Sequence, residues 1–128
     1  MMSQVKSYRD LIVWQKSIAL VTDVYRATQQ FPKEEIYGLT SQVRRSAVSV
    51  PSNIAEGQGR DSTKDFVRFL AIATGSLNEL QTQMQIASNL SYLSAECHAR
   101  LETAAREVER MLRSLSRKLA TRASKHSP

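Results

Sequence analysis

Leu39, Val43, Ala47, Val50 and Ile54 repeat at steps of four, four, three and four, and they hold that phase straight through Pro51. Only a helix puts all five on one face. Pro51 removes the bond its own N–H would give to the Ala47 carbonyl. Because Ile54 stays in register with Val43 and Val50, the expectation is a kinked helix over 39–56 rather than a broken one. Gly57 then supplies a left-handed C-terminal cap.

Three other segments carry the same periodicity. Leu11, Trp14, Ile18, Val21 and Tyr25 place a first helix at about 10–30, stopped before Phe31-Pro32. Ser62, with Asp65 three residues on, is an N-cap and capping-box variant. It opens a third helix over about 63–91 with Phe66, Phe69, Leu70, Ala73, Leu77, Leu80, Met84 and Ala87 inward. Ser94 caps a fourth, whose stripe is Leu101, Ala105, Val108, Leu112, Leu115 and Leu119. Four amphipathic helices with short connections fold most simply as an all-α, antiparallel, up-down-up-down four-helix bundle. The chain of 128 residues holds one such domain, placed at 8–120, with 1–7 and 121–128 as flexible tails.

Charge and cysteine usage narrow the function. Eighteen Lys+Arg against twelve Asp+Glu give +6, which favours anionic partners. Cys97 is the single cysteine, so internal disulfides and multi-thiolate metal sites are excluded and a reducing, cytoplasmic setting is expected. No export signal or apolar run of membrane-spanning length is present, so neither export nor a membrane partner is expected.

Two surfaces stand out. Away from the core stripe, the second helix carries Gln42, Arg45, Ser49, Ser52, Asn53 and Glu56, and the third carries Arg68, Ile72, Gly75, Glu79, Ile86 and Leu93. Short, amide-bearing and apolar side chains where Lys and Glu would be ordinary suggest contact with another copy of the chain. The subunit-interface candidates are Gln42, Arg45, Ser49, Asn53, Glu56, Arg68, Ile72, Gly75 and Glu79, with Glu56 expected to pair with Arg45 or Arg68. On the fourth helix, Arg106, Arg110, Arg113 and Arg117 fall within about 60° of one another, opposite the apolar stripe. Lys118 and Arg122 prolong this ridge. Arginine forks grip phosphates, so the ridge is a candidate nucleic-acid contact; a solvated helix face is the alternative.

The chain lacks the parts of a catalyst. Gly57-Gln-Gly59-Arg60 follows no strand and leads into no Gly-Lys-Ser/Thr, so it is no nucleotide loop, although Arg60 and Lys64 could hold one phosphate at the start of the third helix. Neighbours on a helix point about 100° apart, so Cys97 and His98 form no dyad. No catalytic, cofactor or metal residue is assigned, and no enzymatic activity is expected.

The stretches DLIVWQKSIAL (10–20), YGLTSQVRRSAVSVPSNIAEGQGR (37–60) and FVRFLAIATGSLNELQTQ (66–83) resemble the bacterial four-helix-bundle proteins named for intervening sequences of 23S ribosomal RNA genes. The resemblance implies a left-handed bundle, assembly as a ring-like homopentamer and no enzymatic activity. Through related accessory proteins of diversity-generating retroelements it also implies RNA and a reverse transcriptase as partners. Two functions are therefore carried forward. One is a non-enzymatic oligomer that binds RNA or DNA through the arginine ridge, and the other is a protein–protein scaffold without nucleic acid.

Overall fold

The computed structural model describes residues 5–125 of the chain. Among them are four α-helices and no strand: α1 (Ile12–Thr28), α2 (Leu39–Gln58), α3 (Thr63–Asn89) and α4 (Ala95–Lys125). α1 packs on α2, α2 on α3, α3 on α4, and α4 returns to α1, with no close backbone approach across either diagonal among the described residues. This is a four-helix bundle. Its centre is a continuous cluster that includes Leu20, Val24, Val43, Val50, Ile54, Leu70, Leu77, Leu80, Met84, Leu101, Val108 and Leu112. Residues 1–4 and 126–128 of the expected tails lie outside the described residues, whereas 121–125 continue α4.

Local chemistry explains most helix ends. Before α1, Asp10 Oδ2 accepts from the N–H groups of Lys6 and Ser7 at 2.8 and 3.2 Å, closing a capping box around the 3-10 turn Tyr8–Asp10. Ser62 Oγ accepts from Asp65 N–H at 3.0 Å and Ser94 Oγ from Cys97 N–H at 3.1 Å, as the sequence predicts for α3 and α4. The reciprocal half of the α3 box is missing, because the Asp65 carboxylate turns to Arg68 at 3.6 Å. α2 runs unbroken through Pro51, whose ring is buried.

Gly57 departs from the expected left-handed cap. It is buried inside α2, no glycine has positive φ, and a Cβ placed on it would meet Phe69 Cβ at 2.6 Å. Close approach of α3 is what this glycine provides. The left-handed helix end occurs instead at Ser91, φ 63°, after α3. There the Tyr92 N–H reaches the Ala87 carbonyl at 2.8 Å and the Ser91 N–H the Ser88 carbonyl at 3.0 Å, a Schellman arrangement with serine at the strained position.

α1 is rotated relative to its predicted stripe. Val13, Ser17, Leu20, Val24 and Thr28 face the core, while Leu11, Trp14 and Val21 are half-buried and Ile18 and Tyr25 are exposed. Two hydroxyls make this possible by bonding their own helix: Ser17 Oγ donates to the Trp14 carbonyl at 2.8 Å and Thr28 Oγ1 to the Val24 carbonyl at 2.9 Å. Leu93, assigned above to an outer face, is also buried, because α3 has already ended and the connection turns inward.

Candidate nucleic-acid interface

The ridge on α4 exists because the opposite flank is committed to the core. Leu101, Ala105, Val108, Leu112 and Leu119 are buried, which leaves Arg106, Arg110, Arg113, Arg117, Lys118 and Arg122 exposed. The six cations are not equivalent. Arg106 lies 3.6 Å from Glu102, and Arg113 Nη2 donates to Glu109 Oε2 at 2.9 Å, both one turn apart along the helix. Arg110, Arg117, Lys118 and Arg122 have no ion pair among the described residues.

Two open grooves flank the distal end of this ridge. One, of about 660 Å³, is lined by Ser114, Arg117, Lys118, Thr121 and Arg122, all from α4. The other, of about 640 Å³, lies between α3 and α4 and is lined by Val67, Ala71, Thr74, Arg113, Ser116, Arg117 and Ala120. Arg117 borders both. Hydroxyls alternate with cations here, so a phosphate oxygen would meet N–H and O–H donors together. Among the described residues no aromatic side chain lines either groove, so these residues offer no platform for base stacking.

The second phosphate candidate, Arg60 with Lys64, is placed differently. Arg60 pairs with Glu56 at 3.1 Å and lies over the Phe69 ring at 4.6 Å; Arg68 lies over the same ring at 4.7 Å. Glu56 therefore finds neither Arg45 nor Arg68, because Arg60 sits one turn further along the same helical course. These contacts pin the α2–α3 turn. Lys64 is exposed beside them and has no ion pair among the described residues.

The candidate subunit face divides in two. Gln42, Arg45, Glu56, Arg68, Ile72, Gly75 and Glu79 are exposed. Ser49 and Asn53 are half-buried and turned inward: Ser49 Oγ is 2.8 Å from Ser76 Oγ on α3, and Asn53 Nδ2 donates to the Ser49 carbonyl and hydroxyl at 2.7 and 2.9 Å. Their polarity serves the α2–α3 seam. Deeper along it, the buried Ser46 Oγ bonds Gln83 Oε1 at 2.9 Å. A methylene-poor α2 surface is what lets these short side chains meet.

Two polar contacts escape the sequence pattern. Glu35 closes the α1–α2 connection, its Oε1 accepting from Leu39 N–H at 3.0 Å and its Oε2 from the Tyr92 hydroxyl at 3.0 Å. That hydrogen bond, then burial and the nearby Glu35 and Glu34 charges, raises the Tyr92 pKa above 10. Arg44 Nε donates to Thr28 Oγ1 at 2.8 Å and its guanidinium lies 4.6 Å from the Tyr25 ring centroid. It borders a groove of about 410 Å³ with Tyr25, Ile36, Arg45 and Val48. Partners 16 and 57 residues apart leave no local signal in a sequence.

Among the described residues no three His, Cys, Asp or Glu side chains converge on a metal position, and no helix is long and apolar enough to cross a membrane. Comparison with known proteins gives a family and a fold. No curated protein matches the chain. A solved structure from Bacteroides thetaiotaomicron VPI-5482, described as a protein with unknown function from the S23 ribosomal protein family, is similar in fold with a TM-score of 0.74. The two share 22% identity over 82% of this chain and 98% of that one. The family model of the 23S rRNA-intervening sequence protein matches residues 9–114, most of α1 to α4, and the chain belongs to that family.

Proposed function

We propose that the protein is a non-enzymatic, basic helical-bundle assembly that binds nucleic acid, RNA in preference, through phosphate contacts along α4. The observation that carries this reading is the run of exposed cations Arg110, Arg117, Lys118 and Arg122 with no carboxylate partner among the described residues. A cation already paired must give up its carboxylate to take a phosphate; these four exchange only water and counterions. Without aromatic platforms the contact is by charge and shape, with little sequence preference. Family resemblance adds a reverse transcriptase as a partner, and the single cysteine fits a cytoplasmic setting.

In this reading the helices run antiparallel, up-down-up-down and left-handed. Supporting the first point, Ser46 pairs with Gln83, Ser49 with Ser76, and Gly57 abuts Phe69, so position rises along α2 as it falls along α3. Copies associate through the exposed part of the α2–α3 face into a homo-oligomer, a pentamer by resemblance to the family. Ile72 and Ile86, each more than two-fifths exposed on one flank of α3, favour such contact.

A second reading, a protein scaffold, is favoured by the apolar α1–α2 groove of Tyr25, Ile36 and Val48 beside Arg44 and Arg45. Titration of labelled RNA separates the two. Four neutralised phosphates predict a fall in affinity of about 10²-fold between about 50 and 200 mM salt. Absent or salt-independent RNA binding leaves the scaffold.

A further inference from the structure

The charge of this chain is not distributed over the bundle. Of eighteen Lys+Arg, six lie after Glu109 (Arg110, Arg113, Arg117, Lys118, Arg122 and Lys125), and none of the twelve carboxylates does. Residues 1–109 therefore hold twelve cations and twelve carboxylates, and the whole +6 belongs to the last part of the chain. The helix carrying it extends to Lys125, whereas the family match stops at residue 114. Four of the six cations lie past that point.

Taking the phosphate-binding reading above as its premise, we infer that the nucleic-acid footprint is confined to the distal half of α4, from Arg110 onward, and that the bundle before it is an electroneutral mount. Three observations converge on this. Arg106, in the balanced region, is held by Glu102, and Arg113, the first ridge arginine after Arg110, is held by Glu109. Beyond Glu109 no carboxylate remains on the helix to neutralise Arg117, Lys118 or Arg122. These three line one groove together with Ser114 and Thr121, so donors of two kinds share one stripe over about two and a half turns.

The same stretch argues against an anionic membrane as the ligand. An interfacial basic helix needs apolar side chains to insert, and here Leu112 and Leu119 are buried and Met111 and Leu115 half-buried against the core. None of the large exposed hydrophobic residues lies after Leu90. A ridge of cations with no apolar edge fits a polyphosphate backbone approached from outside. From Arg110 to Arg122 it spans about 18 Å at 1.5 Å per residue, longer than the ~12 Å width of a B-DNA major groove, so the cations can reach phosphates on both of its sides.

The test uses the full chain against short DNA and RNA duplexes, with anionic vesicles as a separate arm. R117Q/K118Q/R122Q should lower duplex affinity at least about tenfold and reduce the magnitude of the log K against log salt slope on DNA by about 2.7, at roughly 0.9 per phosphate contact. R106Q should leave affinity within about twofold, since Arg106 lies before the footprint, on the part of the chain whose charges balance. Circular dichroism on every variant confirms that helicity is kept. If the wild type binds no duplex, the premise and the inference fall together. If it binds and the triple variant keeps its affinity and slope, or R106Q weakens binding as much, the footprint is overturned while the phosphate reading stands. Binding to vesicles in place of duplexes overturns both.

Discussion

A Cβ on Gly57 would sit 2.6 Å from Phe69 Cβ and 3.0 Å from Phe66 Cδ1, and Phe69 Cβ, fixed to its backbone, withdraws only if α3 itself shifts. Alanine is the better helix former by about 1 kcal/mol, yet the clash dominates at this position. Gly57→Ala should lower stability by about 1–3 kcal/mol, the usual cost of overpacking. Ser91 has the opposite fault, since it holds φ 63° where a side chain is disfavoured. Ser91→Gly should raise stability by about 1 kcal/mol, and urea unfolding checks both signs. Tyr92 adds a pH dependence. Its folded pKa is raised because the neutral phenol donates to Glu35, so the native state binds that proton more tightly than the unfolded chain. The stabilisation is complete below the unfolded value of about 10 and is lost as pH rises through the folded one. Tyr92→Phe should remove this alkaline fall from the urea midpoint measured between about pH 8 and pH 11.

At the level of elements, α1 shows what an apolar pattern can and cannot convey. Two stripes overlap in it, 11/14/18/21/25 and 13/17/20/24/28, and the first contains only large apolar and aromatic residues. Periodicity therefore points to the first, but the fold buries the second, because Ser17 and Thr28 satisfy their hydroxyls on their own backbone and stay small against neighbouring helices. Helices α2, α3 and α4 offer one strong stripe each, and there the predicted stripe is buried except at Leu39, Phe66 and Leu115, which are half-buried against the core. Caps at Ser62 and Ser94 were equally legible, being local. The α4 ridge was legible as a face, but which of its arginines are paired depends on rotamers, and the pairing divides them. Substitution settles the α1 phase. Leu20→Ala, fully buried, should cost about 2–5 kcal/mol, whereas Ile18→Ala, 39% exposed, should cost under about 1 kcal/mol. Equal losses in chemical denaturation would contradict this orientation of α1.

For the whole molecule, stability and assembly make opposite demands on one residue, Gly75. It lies exposed in the middle of α3, where a Cβ would find nothing within 4 Å, on the flank that also carries Arg68, Ile72, Glu79 and Ile86. In a solitary bundle such a glycine only weakens its helix, and Gly75→Ala should stabilise by about 0.5–1 kcal/mol. A glycine flanked by exposed isoleucines allows a second helix to approach closely; a methyl group there holds the two backbones apart. If copies of the chain meet along α3, Gly75→Ala should therefore raise the unfolding midpoint of the dilute protein while shifting its sedimentation profile toward smaller species at matched concentration. Ile72→Glu provides the second arm, since a carboxylate on the same flank leaves the 42% exposed position solvated in the monomer but opposes burial in a contact. Both variants keeping the wild-type sedimentation profile would move the contact off α3, with the α1–α2 groove of Tyr25, Ile36 and Val48 as another exposed apolar surface.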